Sequence, residues 1–454
     1  MSSTAPGRSR ARLPLDGELR FDAAARSLRA DDFGHIVHKL PEAVLLPASA
    51  DDVARTIRWA AQRGSRFAPQ GWRHSTFGRA QVRGGIVADM STLGTIGAVE
   101  GDRVAVEAGA QWSEVLGVTL AQGKTPPVLT DYLALSVGGT LIAGGVGGAT
   151  SGSGVQSDHV IDMEVVTGTG RKLTCSPSHN ARLFDAVRGG LGQVGVITKA
   201  TLRLVTAPQW VRRFLLSYPD LPTMLEDARL LAADNRFDAV QGAIAAAPSG
   251  GIAFRLDAAK HFGAQAPDDD ALLSGLSDDR ARRQPTTLRY FDYLNRLASL
   301  EAALRVNGQW SFPHPWLTTF IGDAQVERVV SAELDALDPA TDLGPFGQVV
   351  LSPIRRAAIA SPLLRVPPDD LCHAFNLIRI PATGEPREAS RLVAANRAAY
   401  DRVKRAGGTL YPVSALPLSA GEWRDHFGSA FGRLDAAKQA FDPGGILTPG
   451  YEIF

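Results

Sequence analysis

His74 stands in the stretch Gln70-Gly71-Trp72-Arg73-His74-Ser75-Thr76-Phe77-Gly78, a glycine-bounded turn behind a run, Arg66 to Pro69, that reads as a strand. Glycine lets backbone approach a ligand where a side chain would collide, and a neutral imidazole is a nucleophile at ordinary pH. The combination suits an anchor for a large cofactor, with covalent attachment within its chemistry. It equally suits a surface loop in which His74 only packs. Asp131, in Thr130-Asp131-Tyr132, is a second reactive group: an acid or base if the segment behind it lines a cofactor, or the cap of a helical turn. His314 lies between Pro313 and Pro315, with Trp316 following, so its backbone is restricted and its ring can line a pocket or pack a turn.

Behind Asp131 runs Ser136-Val137-Gly138-Gly139-Thr140-Leu141-Ile142-Ala143-Gly144-Gly145-Val146-Gly147-Gly148, too glycine-rich for a self-sufficient helix and too apolar for a solvated linker. It reads as backbone packed against something flat or elongated. A further cluster holds a formal G-x-G-x-x-G match at Gly190, Gly192 and Gly195. A dinucleotide fingerprint must follow a strand and open a helix. Here the order is inverted, with helix-like Asn180 to Val187 before and strand-like Val196 to Val205 after, so nicotinamide binding by a Rossmann unit is not expected.

The elements around these groups alternate. Ser49 caps a helix with Asp51 and Asp52 in its first turn and Val53, Ile57 and Ala60 on one face. Gly85 to Asp89, Arg103 to Glu107, Asp162 to Thr167 and Lys172 to Cys175 read as strands, and Ser113 to Gln122 as a helix. Beyond Ala207-Pro208 the glycine density drops, and strands are expected at Val211 to Ser217, Ala239 to Ala246, Gly251 to Leu256, Gln348 to Pro353 and His373 to Ile380. Helices are expected at Met224 to Ala233, Val326 to Leu337 and Glu388 to Arg405. The chain thus divides into residues 1–207 (core 37–207), 208–412, and a terminal segment 413–454, whose Gly/Pro cluster suggests a return to the first domain. The fold class is α+β.

With 454 residues, 44% hydrophobic and 21% charged, the chain has ordinary globular composition. Its 48 basic and 47 acidic residues leave a formal charge of +1, which argues against nucleic acid or anionic membrane as the main partner. A small molecule is the expected partner. Cys175 and Cys372 exclude a disulfide framework or cysteine-rich metal site, and read as two ordinary thiols, with a single bridge left open. Met1 to Arg12 shows no signal-peptide pattern, and no stretch approaches the ~20 apolar residues of a membrane span, so a cytoplasmic protein is expected. HExxH, P-loop, CxxC and G-x-S-x-G patterns are absent, and no metal is called for.

In order as well as content, these clusters resemble the cytokinin dehydrogenases, bacterial members included, within the vanillyl-alcohol-oxidase (VAO, PCMH-type) FAD-linked oxidoreductases. The likeness runs nearly end to end. It includes Leu15 to Arg20, Asp32-Phe33-Gly34, Gly71 to Ser75, Leu129 to Leu141, Asp162 to Thr169, Gly190 to Thr198, Tyr293 to Arg296, Phe312 to Phe320, Trp423 to Gly428 and Phe441 to Gly450.

The resemblance implies a two-domain flavoprotein, with an FAD-binding domain and a substrate domain of antiparallel sheet and flanking helices. It implies FAD bound covalently through His74 and a base at Asp131. Contacts to the cofactor are implied for Gln70, Gly71, Trp72, Arg73, Ser75, Arg79, Thr130, Ser136, Gly138, Gly139, Gly145, Gly192, Val196 and Tyr451. Gln241, His314 and Trp316 would border the substrate, a cytokinin-like N6-alkyl adenine, with oxygen or a quinone as electron acceptor. Departures lie near the substrate: Arg73 replaces the usual small residue, Arg79 the usual Gln, Gln241 an acidic residue, and Tyr451 the terminal Gln. An FAD-dependent oxidase of another amine or alcohol in secondary metabolism is the alternative within the fold. A flavin-binding cyclase or binding protein without redox turnover is the alternative outside it.

Overall fold

The computed structural model describes residues 13–247 and 250–454; the reading of Met1 to Arg12 lies outside them. Three sheets carry the fold. The first is four-stranded, in the order Glu18–Arg20, Ala43–Leu46, Ile86–Asp89, Phe67–Gln70. Its last three strands are parallel and Glu18–Arg20 pairs antiparallel at the edge. The crossover is the helix Ala50–Ala61, capped by Ser49 Oγ at Asp52 N–H, with Val53, Ile57 and Ala60 fully buried against Leu45, Phe67 and Ile86. Asp52 also turns inward and accepts hydrogen bonds from the N–H groups of Asp16, Gly17 and Ala48, which ties the edge strand to the helix.

The second sheet is five-stranded and antiparallel: Ile96–Glu100, Arg103–Glu107, Gly195–Arg203, Val160–Thr167, Lys172–Cys175. Gly189 to Gly192 joins the helix Ala181–Val187 to the strand Gly195–Arg203, the helix-to-strand order that excludes a dinucleotide fingerprint. Among the described residues both cysteines are free and buried, and no helix is long and apolar enough to cross a membrane.

The third sheet has eight antiparallel strands, in the order Gln284–Arg289, Trp210–Tyr218, Ile252–Phe262, Ala239–Ala246, Gln348–Arg355, Leu371–Ile378, Leu317–Gly322, Thr409–Leu410. Side chains of a strand alternate between faces. In Ala239–Ala246, Val240 and Ile244 are buried, and a Cβ on Gly242 would touch Met224 of the helix Leu221–Asp234. Gln241 therefore points to the opposite face, away from that helix. The helices Asp323–Ala336 and Pro386–Arg405 also pack on the sheet.

The terminal segment lies against the first sheet. Phe67 N–H donates to Ile446 C=O at 2.8 Å and Thr448 N–H to Phe67 C=O at 2.8 Å, so residues 446–448 continue the sheet beyond Phe67–Gln70. Asp442, 1% exposed, organises the turn: it accepts from Ile446 N–H and Leu447 N–H and pairs with buried Lys438 at 2.8 Å. Lys438 Nζ in turn donates to Gln193 C=O at 2.9 Å, binding this segment to the Gly190–Gly195 cluster. Removing one partner of a buried ion pair strands the other charge. Asp442→Ala should destabilise the protein by about 3–5 kcal/mol in urea unfolding, and adding Lys438→Met should recover much of that loss.

Candidate active site

The chain leaves the strand Phe67–Gln70 through Gly71, where a Cβ would lie 2.2 Å from Ser136 Oγ. Only glycine permits this approach, which sets the histidine loop against the long glycine segment. Gly139, in the short helix Val137–Leu141, has the same neighbour, with Ser136 Oγ 2.7 Å from a Cβ there, and Gly138 packs on Ala108. Gly71, Ser136, Gly138 and Gly139, distant in sequence, thus form one surface. The helix is an element that its own propensity would not support. It forms because Val137, Thr140 and Leu141 are buried and Trp112 Nε1 donates to Thr140 Oγ1 at 2.9 Å.

Arg73 takes φ of 63°, a left-handed conformation that non-glycine residues adopt at a cost. The strain is held by contacts. Phe33 N–H donates to Arg73 C=O at 2.7 Å, Gly34 N–H to Ser75 C=O at 3.2 Å, and Arg73 Nη1 to Leu28 C=O at 2.9 Å. Asp32, buried, accepts from Ser75 Oγ at 2.6 Å, Gly78 N–H at 2.7 Å and Gly34 N–H at 3.1 Å. Burial pushes its carboxyl up to about 6, against the pull of those donors. The backbone N–H groups of Trp72, Arg73, His74 and Ser75 meet no acceptor among the described residues.

His74 projects into an aromatic cage: ring centroids of Tyr132, Phe33 and Trp310 lie 4.6, 4.7 and 5.8 Å away. Desolvation, then the neighbouring His314, Arg305 and Arg73, depress its pKa to about 3. The ring is therefore neutral and nucleophilic at any physiological pH. Phe33 also stacks on His314 at 4.0 Å; His314 is fully buried, its Nδ1 3.0 Å from Phe33 C=O and its Nε2 unpartnered. His314 thus backs the cage, and Trp316 touches Phe33 edge-on while donating Nε1 to Arg379 C=O.

Asp131 precedes the cage residue Tyr132 and turns elsewhere. Its Oδ1 accepts from Arg296 Nη2 at 2.6 Å and its Oδ2 from Gln241 Nε2 at 3.0 Å, with the side chain 31% exposed. Instead of capping a turn, it joins the two domains. It lines a cavity of about 580 Å³ with Thr130, Gly148, Ala149, Tyr293 and Arg296, within the size range of small-molecule sites. Thr130 Oγ1 donates to Tyr132 C=O, which fixes the turn that separates cage from cavity.

The remaining candidates sort by position. Gln70 is buried beside the Arg29–Asp89 ion pair, and Trp72 is 43% exposed with Nε1 on Gly109 C=O at 2.9 Å. Gly145 has φ of 81°, donates its N–H to the Tyr411 hydroxyl, and abuts Gln156, whose buried amide has no partner at either end. Gly192, at φ of 69°, accepts from Thr448 Oγ1, and Val196 is buried. Arg79 is buried among Phe77, Trp423 and Tyr451, donating to Leu416 C=O, with Gly450 pressed on its backbone. Arg79 and Tyr451 thus join the terminal segment to the loop. Sequence reasoning did not single out Asp32, Trp310 or Arg296 as site residues; each acts across a sequence gap, and nothing local marks it.

The unpaired loop N–H groups, the neutral imidazole, the close-approach glycines and the orphaned Gln156 amide fit a long, anionic, planar cofactor such as a dinucleotide flavin. Solved structures show the fold: 6-hydroxy-D-nicotine oxidase of Arthrobacter nicotinovorans aligns with a TM-score of 0.76 at 21% identity, over 98% of this chain and 100% of that one. A VAO-type flavoprotein of Myceliophthora thermophila aligns at 0.73 and 19% identity, over 90% and 79%. The molecule has the VAO-type fold. Residues 41–176 match the FAD binding domain family, and residues 223–454 match the family described as cytokinin dehydrogenase 1, FAD and cytokinin binding. An uncharacterized oxidoreductase of the fasciation locus of Rhodococcoides fascians is 41% identical, over 93% of this chain and 95% of that protein. Cytokinin dehydrogenase 10 of Oryza sativa subsp. japonica is 34% identical, over 97% and 89%. The chain belongs to the cytokinin dehydrogenase family of FAD-dependent oxidoreductases.

The state of His74 is open to measurement. In a flavin-free preparation its ring signals should remain those of the neutral imidazole from pH 8 to 5. An unfolded chain protonates this ring near 6.5 and the folded one only near 3, so acid favours unfolding across that window. His74→Gln should therefore gain stability relative to wild type as pH falls from about 6.5 towards 4 in urea melts.

Proposed function

We propose that the protein oxidises a C–N bond of a cytokinin-like N6-alkyl adenine, acting in the cytoplasm, with FAD held covalently by His74. The observation that carries the reading is Asp131: a carboxylate on the cavity wall, one residue from the cage of His74, clamped by Arg296 and Gln241. When bound, FAD supplies the acceptor for the hydride that leaves the substrate carbon, and oxygen or a quinone takes the electrons onward.

The chain's own residues do the rest. His74, neutral and half-buried, offers a ring nitrogen as the attachment atom. The loop N–H groups of Trp72 to Ser75, together with Gly71, Ser136, Gly138, Gly139, Gly145, Gly192 and Val196, hold the cofactor's extended part. Asp131 orients the substrate amine and accepts its proton at a carboxylate oxygen. The eight-stranded sheet offers the face that bears Gln241 as the floor of the substrate space. The divisions at about Ala207 and 412 separate the cofactor and substrate domains, and the terminal segment serves the first.

Gln241 favours a second reading within the same chemistry. The resemblance implies an acid at this position; an amide can donate to Asp131 but offers a substrate N–H no carboxylate. An oxidase of another amine or alcohol is therefore the competing assignment. Purified protein should keep flavin mass and yellow colour after denaturation, and His74→Ala should lose the adduct. Under argon, isopentenyladenine should bleach the flavin, and Asp131→Asn should slow that bleaching by about 10²–10⁴-fold. Bleaching by an alcohol or a non-adenine amine, and by no cytokinin, would move the assignment to the second reading.

A further inference from the structure

The geometry points to Arg296 as the positioning residue of the Asp131 carboxylate, with Gln241 as the opposing clamp. The inference rests on the reading of Asp131 as the base. A carboxylate held at one oxygen can still rotate about its Cβ–Cγ bond. Asp131 is held at both: Oδ1 by Arg296 Nη2 at 2.6 Å and Oδ2 by Gln241 Nε2 at 3.0 Å. The two donors come from unconnected elements, the turn after the helix Tyr290–Leu294 and the strand Ala239–Ala246, so their separation fixes the plane of the carboxylate. One lone pair on each oxygen is left for a substrate.

Arg296 is itself fixed. Its guanidinium carbon lies 4.9 Å from the Tyr293 ring centroid, and its Nη1 donates to Tyr293 C=O at 3.3 Å. Burial weakens its charge, and the nearby Asp131, Tyr293 and Asp257 more than offset that, so its pKa lies above the ordinary arginine value. Asp257 sits directly across from Gln241 in the sheet register and is held bidentately by Arg213, Nε to Oδ1 at 2.9 Å and Nη2 to Oδ2 at 2.7 Å. Asp131, Arg296, Asp257 and Arg213 form a row of alternating charge that ends on the sheet. Arg296 acts through Asp131; it carries out no proton transfer. Its planar fork directs one N–H at one oxygen, which a lysine ammonium does not reproduce.

The test is a double-mutant cycle on the flavin-loaded protein. Flavin reduction under argon is followed in a single turnover with isopentenyladenine, or with the alcohol or amine that bleaches it under the second reading, and urea unfolding is measured alongside. Arg296→Met should slow reduction by about 10–100-fold, the scale set by misplacing a reacting group, with a smaller effect on substrate affinity. Arg296→Lys should lose less. In the Asp131→Asn background, Arg296→Met should add no further slowing, and the urea midpoints of the pair should be non-additive. A merely structural role would instead multiply the rate losses. Multiplying losses, or wild-type reduction by Arg296→Met, overturns the proposal while leaving Asp131 as the base. Wild-type reduction by Asp131→Asn overturns the base assignment, and the proposal falls with it. Should Arg296→Met fail to retain flavin or cooperative unfolding, the Arg296→Lys arm decides: an intermediate rate supports the proposal and an unchanged one overturns it.

Discussion

Asp32 is a buried carboxylate to which no cation is bonded among the described residues, and the histidine loop is built around it. Three donors from two stretches of chain converge on its oxygens: Ser75 Oγ, Gly78 N–H and Gly34 N–H. A buried charge is tolerated only when its lone pairs are met. The loop from Ser75 to Gly78 therefore wraps Asp32 because few other arrangements satisfy it. Just ahead of the wrap, Arg73 takes a left-handed conformation and His74 lies in the cage of Phe33, Tyr132 and Trp310. Phe33, next to Asp32, supplies one wall of that cage, so the same short segment both pins the loop and encloses its imidazole.

From this point the two halves of the site follow different physics. The half that the proposal gives to the cofactor is made of backbone: unpaired N–H groups, glycines whose Cβ would collide, and the terminal strand that seals Phe67 and Gly192. The half that the proposal gives to the substrate is made of side chains, where Asp131 meets Gln241 of the eight-stranded sheet and Arg296. Backbone surfaces suit a constant ligand, and side chains on a fixed sheet suit one that varies among relatives. Gln241 sits on the second kind of surface, and Tyr451 belongs to the terminal segment, packed on Arg79 of the histidine loop.

How much of this was legible depended on the kind of signal each element carries. Arg103–Glu107, Lys172–Cys175 and Ala239–Ala246 were readable to the residue, because alternation and β-branching mark a strand with one buried face. Glu18–Arg20 is too short to show a period, Ala43–Leu46 is apolar throughout and shows no alternation, and Gln284–Arg289 is an exposed edge with a proline and no apolar face. Val137–Leu141 was unreadable as a helix because glycine-rich sequence opposes one; burial against Ala108 and the Trp112 hydrogen bond impose it. His74 and Asp131 stood out because a reactive side chain beside glycine is a local pattern. Asp32, Trp310 and Arg296 did not, because their significance lies in Ser75, His74 and Asp131, which are 43, 236 and 165 residues away.

The sequence by itself determined which groups are available: an imidazole and a carboxylate beside glycine clusters, in an order that resembles one flavoprotein family and excludes a Rossmann unit. Those properties are local or ordered along the chain, so composition and spacing carry them. Only the tertiary structure decided that His74 is neutral, that Asp131 is clamped by Arg296 and Gln241 and lines a cavity, and that the terminal segment closes on Phe67 and Gly192. Desolvation, hydrogen-bond geometry and close backbone approach are set by what lies nearby in space. No spacing in the chain encodes them until the sheets have packed.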